Sequence, residues 1–227
     1  MWSKATGTSA REQPGAFAGV RRAGILGGSF NPPHLGHLEV ARRALSELEL
    51  ERVLLMPVHN QPLKQEARDP GPGHRLRMCE LACAGDPDVV ACAMEVERGG
   101  ASYTVDTLAA VHASHPEAQL TFIVGADTAL TLRSWREPER VLSLARLAVA
   151  GRAGAPRERV RETVAAIAGE DAAANVSFLE MPEIAVSSSQ VRERIGAGAS
   201  LGDLVAPAVA EYISEHALYL TPSGQVS

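Results

Sequence analysis

The sequence predicts an α/β fold: a single Rossmann-like, doubly wound parallel sheet with flanking helices. Two observations predict it. Six short β-like runs, at residues 23–26, 52–56, 89–94, 120–124, 147–150 and 176–179, alternate with helical patterns. Several of the runs are continuously apolar, as strands covered on both faces are. Such alternation implies βαβ units with right-handed crossovers. Ligands of open α/β sheets bind beyond the carboxyl ends of the strands, at the switch point.

The first run leads through GGSFNPPHLGH (residues 27–37) into an amphipathic segment at 38–48. Gly27 and Gly28 lack a Cβ, tolerate positive φ and let a ligand approach the backbone. The helix start that follows carries unpaired N–H groups and a partial positive charge, which attract anions. Two imidazoles, His34 and His37, sit three residues apart at that start. Strand, glycine turn and paired histidines together predict a phosphate site.

The second run is followed by residues 61–73, whose Pro62, Pro70, Gly71, Pro72 and Gly73 read as a mobile loop before a helix at 74–84. The third leads into Gly99-Gly100-Ala101-Ser102-Tyr103-Thr104 and a helix at 104–115, with Thr104 or Ser102 as the expected cap. Exposed N–H groups behind that cap suit a carboxylate, although Tyr103 and Thr107 are equally readable as packing and capping residues. The fourth run ends in Gly125, and Asp127 either caps the next helix or accepts hydrogen bonds from a ribose. Trp135 lies among Arg133, Ser134, Arg136 and Glu137, a polar setting that favours partial exposure and stacking on an aromatic ligand. Helices at 138–144 and 157–167 flank the fifth run. Near the end, Ser187, Ser188, Ser189 and Arg192 open a helix at 188–195, and a last helix follows at 206–216. Hydroxyls, helix N–H groups and a guanidinium converging at one helix start make a second anion site.

Bulk properties narrow the partners. The chain has 227 residues, 45% of them hydrophobic, and a formal charge of −5, so it has no overall basic field for nucleic acid. No apolar run approaches the roughly 18 residues of a membrane helix, and no secretory h-region is visible. Cytoplasmic localisation is expected, with small-molecule partners and homo-oligomerisation allowed. Cys79, Cys83 and Cys92 read as buried free thiols, and their spacing suggests no metal site. Residues 1–20, dominated by Ser, Thr, Gly, Gln and Pro, read as a disordered tail, and residues 21–222 as the α/β domain.

The order GGSFNPPHLGH, PLK, SYTVDTL, FIVGAD, SW and PEIAVSSSQVR resembles the bacterial nicotinate-nucleotide adenylyltransferases of the HxGH nucleotidyltransferase superfamily, and the resemblance spans residues 23 to about 220. It implies transfer of the adenylyl group of ATP to nicotinate mononucleotide, giving deamido-NAD and pyrophosphate. It assigns Gly27, Gly28, Ser29, Phe30, Gly125, Asp127, Ser188, Ser189 and Lys64 to ATP. His34 and His37 would act at the α- and β-phosphates, and Arg192 with Ser188 would hold the β- and γ-phosphates as pyrophosphate leaves. Tyr103, Thr104, Trp135 and Asn31 go to the mononucleotide, with the carboxylate at Thr104 and the pyridine ring on Trp135. The nucleophile is the mononucleotide's own phosphate, attacking the α-phosphorus in line. Mg2+ is carried with ATP rather than in a protein cage. An imidazole that titrates near neutrality suits the histidine role. Two departures stand out: Asn31 where the family usually has Asp, and Leu63 where it has His.

Overall fold

The computed structural model describes residues 16–60, 68–151, 156–181 and 186–220. Its strands are β1 (Arg22–Gly28), β2 (Arg52–Pro57), β3 (Val89–Ala91), β4 (Gln119–Gly125), β5 (Arg146–Gly151) and β6 (Ser177–Glu180). All pair in parallel, in the order β3-β2-β1-β4-β5-β6. The order reverses beside β1, so the crevice between the ends of β1 and β4 is the switch point. The helices are α1 (Leu35–Glu47), α2 (Pro72–Cys83), α3 (Met94–Arg98), α4 (Thr104–Ser114), α5 (Ala126–Ala129), α6 (Pro138–Leu144), α7 (Arg157–Ala168), α8 (Glu170–Ala174), α9 (Ser188–Gly196) and α10 (Pro207–Glu215).

Alternation along the strands builds two apolar layers. Ile25, Leu54, Phe122 and Val149 share one face with Leu108 and Val111 of α4 and Val160 of α7. Leu26, Leu55, Ile123 and Ala148 share the other with Leu38 and Ala41 of α1. Because both faces are covered, these strands need apolar residues at consecutive positions. Each fully buried Leu or Ile contributes roughly 1.5–3 kcal/mol. A third cluster, built on Met78, Val191, Val209 and Ile213, joins α2, α9 and α10. That cluster brings the late-sequence helix α9 back to the start of α1, where the Leu35 N–H donates to the Leu204 carbonyl at 2.8 Å.

Three boundaries differ from the sequence reading. The third strand stops at Ala91, and the chain turns into α3. Glu95 and Glu97 in the first turn of α3 favour that helix end. The packed region also starts before residue 21, since Ala16 and Phe17 are buried. The Phe17 ring lies 5.1 Å from that of His115. The loop expected at 61–73 ends at Gly71, with Pro72 as the first residue of α2; Leu63 and Lys64 lie outside the described residues. Cys79, Cys83 and Cys92 are buried free thiols. Among the described residues, no helix is long and apolar enough to cross a membrane.

Candidate active site

The paired histidines open α1 as anticipated, with His34 at the N-cap. The His34 N–H donates to Nδ1 of His37 at 3.1 Å. That bond leaves Nε2 as the protonated nitrogen of a neutral His37, so its N–H points outward as a donor. The two rings stack with centroids 3.7 Å apart and an interplanar angle of 24°. Gly36 permits this: a Cβ there would stand 3.0 Å from Nδ1 and 3.1 Å from Cε1 of His34. Burial lowers His34 to about 4, and burial together with the His34 charge holds His37 well below the ordinary imidazole range. Both are therefore neutral at pH 7 in the free protein, which corrects the expectation of titration near neutrality.

The loop before α1 differs from the sequence reading in where it bends. Gly27 and Gly28 remain in β1, paired with Met56 and Pro57, and neither has a positive φ. The left-handed residue is Phe30, with φ 47°. Its ring is buried and lies edge-on to His37, with centroids 4.8 Å apart. What the two glycines supply is open space at the sheet edge.

Helix α9 closes over that loop. Ser187 is its N-cap, accepting from the Gln190 N–H at 3.2 Å. The Ser188 hydroxyl donates to the Pro32 carbonyl at 2.9 Å. Arg192 donates from Nη1 to the Asn31 carbonyl at 2.6 Å and from Nη2 to the Ser189 hydroxyl at 3.2 Å. The two helix-start motifs, more than 150 residues apart in the chain, are thus physically joined.

Two cavities open at the switch point. The larger, of about 710 Å3, is lined by Gly27, Gly28, Tyr103, Thr104, Asp127 and Trp135, among others. The smaller, of about 400 Å3, is lined by Gly27, Gly36, His37, Gly125 and Val186, among others. Trp135 is half-buried, edge-on to Phe122 at 5.8 Å, and its Nε1 donates to Thr131 Oγ1 at 3.1 Å. Arg136 lies over the Tyr103 ring at 5.0 Å and pairs with Asp106 at 3.2 Å.

The sequence profile of the cytidylyltransferase-like family matches residues 25–194. A Bordetella petrii protein named "Probable nicotinate-nucleotide adenylyltransferase" is 38% identical over 200 residues, covering 88% of this chain and all of that one. A Gemmatimonas aurantiaca protein of the same name is 39% identical over 198 residues, covering 87% of this chain and 92% of the relative. This chain belongs to the nicotinate-nucleotide adenylyltransferase family. The fold of this family member is also that of Plasmodium falciparum nicotinic acid mononucleotide adenylyltransferase complexed with NaAD. The two superpose with a TM-score of 0.70 at 18% identity, over 88% of this chain and 97% of the other.

Not every residue that the family motifs singled out faces a cavity in this member. Ser29, Phe30, Asn31, His34, Ser188, Ser189 and Arg192 line neither of the two. Phe30 cannot offer its buried ring to a nucleotide, and Asn31 is fully buried with its carbonyl held by Arg192. Tyr103, not Thr104 or Ser102, is the N-cap of α4. The Ser102 hydroxyl instead accepts from the His59 N–H at 3.0 Å. Gly125 takes the N-cap of α5, which leaves Asp127 in the first turn, exposed and lining the larger cavity.

Two buried residues escaped sequence reasoning. Arg75 is buried and donates to the Ser29 carbonyl at 2.9 Å. Glu95 is buried in the wall of the larger cavity and accepts from the Thr107 hydroxyl at 2.6 Å. Thr107 in turn accepts from Arg98 at 2.9 Å. Burial pushes the Glu95 carboxyl up, opposed by hydrogen bonding from Thr107 and Ser102 and by the charge of Arg98. The sequence signal was present, as charges beside a glycine pair, but nothing in the spacing indicates burial.

Proposed function

We propose that this chain transfers the adenylyl group of ATP to nicotinate mononucleotide, forming deamido-NAD and releasing pyrophosphate. One observation carries the reading. The two cavities share Gly27, Val124 and Thr128, so ligands filling them meet end to end over the edge of β1 and β4. The larger cavity, with Trp135 and the first turn of α4, suits a pyridine ring bearing a carboxylate. The smaller, with His37 and Gly125, suits the nucleotide that is attacked. The names of the relatives agree with the reaction.

The chemistry asks little covalent work of the protein. The mononucleotide phosphate is already ionised at neutral pH and attacks the α-phosphorus in line, so no general base is needed. Catalysis is positioning and charge stabilisation. His37 donates to phosphate oxygens as charge builds, with His34 stacked against it, and a nearby polyanion raises the proton affinity of both. Arg192, with Ser188 and Ser189, is assigned to the triphosphate end, and Lys64, outside the described residues, to the phosphates as well. Mg2+ enters as part of the ATP substrate. Its ligands are assigned mainly to the nucleotide phosphates. The same reading assigns the chain to the cytoplasm.

The test is pyrophosphate release with ATP and, in separate reactions, nicotinate mononucleotide, nicotinamide mononucleotide and phosphopantetheine. The expected result is the highest kcat/KM with nicotinate mononucleotide. Activity with phosphopantetheine alone overturns the reading.

A further inference from the structure

Arg75 on α2 has 1% of its surface exposed and lines neither cavity. Its guanidinium nevertheless connects three segments around the site. Nη1 donates to the carbonyls of Ser29 at 2.9 Å and Val58 at 2.7 Å, and Nη2 to that of His59 at 2.9 Å. Nε donates to Asp69 Oδ1 at 2.9 Å. Ser29 belongs to the loop after β1, Val58 and His59 to the exit of β2. Asp69 stands just before α2, where its Oδ1 also accepts from the Gly71 N–H at 2.9 Å. Burying an arginine costs desolvation and side-chain entropy. Three of its partners among the described residues are neutral carbonyls, and the carboxylate partner, Asp69, is 39% exposed.

The bond to Ser29 has a directional effect on the loop. The Ser29–Phe30 peptide is trans, so the Phe30 N–H points away from the carbonyl that Arg75 holds. A guanidinium on the carbonyl polarises the peptide and strengthens its N–H as a donor. Phe30 itself sits at φ 47°, a conformation a non-glycine residue keeps only when its surroundings enforce it. Its ring is the edge-on neighbour of His37.

We propose that Arg75 is a positioning residue for the transfer step. It holds the Ser29–Phe30 peptide and so keeps the Phe30 ring against His37, which lines the smaller cavity. The inference rests on the adenylyl-transfer reading above. It differs from a purely structural role because it places the loss in turnover rather than in mononucleotide binding.

The experiment compares wild type with Arg75→Lys, which keeps the charge and loses the fork, and with Arg75→Ala titrated with guanidinium at concentrations that leave wild type folded. Wild-type pyrophosphate release with ATP and nicotinate mononucleotide is measured first, and its absence would count against the adenylyl-transfer reading and not against Arg75. With that activity in hand, Arg75→Lys should lose at least twentyfold in kcat while KM for the mononucleotide stays within threefold. Guanidinium should restore part of the Arg75→Ala turnover. A folded Arg75→Lys enzyme with kcat within threefold of wild type overturns the proposal, as does a rise in mononucleotide KM with kcat preserved. Should neither variant fold, Asp69→Asn, at a half-exposed position, carries the test: kcat should fall at least threefold at unchanged mononucleotide KM, and wild-type kcat overturns the proposal.

Discussion

His34 gives its backbone N–H to Nδ1 of His37 while the two imidazoles stack 3.7 Å apart. One residue thereby sets the tautomer of the other. His37→Ala removes the donor that lines the smaller cavity and should lower kcat at least a hundredfold, about 3 kcal/mol of transition-state stabilisation. Pyrophosphate release by a variant with native circular dichroism checks this, and wild-type turnover would remove His37 from the mechanism.

The stacked geometry depends on the residue between the histidines. Gly36→Ala would set a Cβ 3.0 Å from the His34 ring. Turnover should drop at least tenfold as His34 rotates away. Gly73→Ala, where a Cβ meets nothing within 4 Å, is the matched control and should leave kcat unchanged. Equal kinetics for the two variants would show that ring placement at His34 is unimportant.

Trp135 tests the assignment of the larger cavity. Base-on-aromatic stacking is worth about 1–3 kcal/mol. Trp135→Ala should therefore raise KM for the mononucleotide at least fivefold and leave KM for ATP within twofold. Equal movement of both constants would mean that the ring supports the fold and not the pyridine.

The neutral histidines also predict a pH-dependent stability. An unfolded imidazole titrates near 6.5, and folded His34 near 4, so the unfolded chain binds more protons between those values. The stabilisation is complete above 6.5 and is lost as pH falls from 6.5 to about 4. For His34 alone it amounts to about 3 kcal/mol. Urea unfolding at pH 7.5 and 4.5 should show it, and His34→Gln should flatten the dependence. An unchanged pH slope in that variant would contradict the buried neutral state.

The sheet was readable because its strands are buried on both faces and β1, β4 and β5 end in glycine, a signal that survives in sequence. The third strand was read too long because the apolar pattern continues through Met94, while the chain leaves the sheet to start α3. At the site, the histidines and the Ser188–Arg192 turn could be located, since helix starts carry local signatures. Their joining could not, because the bonds from Ser188 to Pro32 and from Arg192 to Asn31 span 156 and 161 residues. The same is true of Arg75, whose partners at Ser29, Val58 and His59 are backbone carbonyls and leave no trace in side-chain identity. The left-handed bend fell on Phe30 beside two glycines that looked better suited to it, because Arg75 holds Ser29 and the Phe30 ring packs inward.

Gly27 forms part of the wall of both cavities. A Cβ there would come no closer than 3.4 Å to Phe122, an ordinary contact, so the fold does not require glycine at that point. Its absence of side chain keeps a doorway open between two compartments. Substrates enter as separate molecules, each free to leave alone. The product of the proposed reaction spans both compartments and is tethered to itself: when one half lets go, the other keeps it at high local concentration, and rebinding competes with escape. Departure, not bond formation, should then limit turnover, and rapid-quench kinetics should show a burst of pyrophosphate in the first cycle.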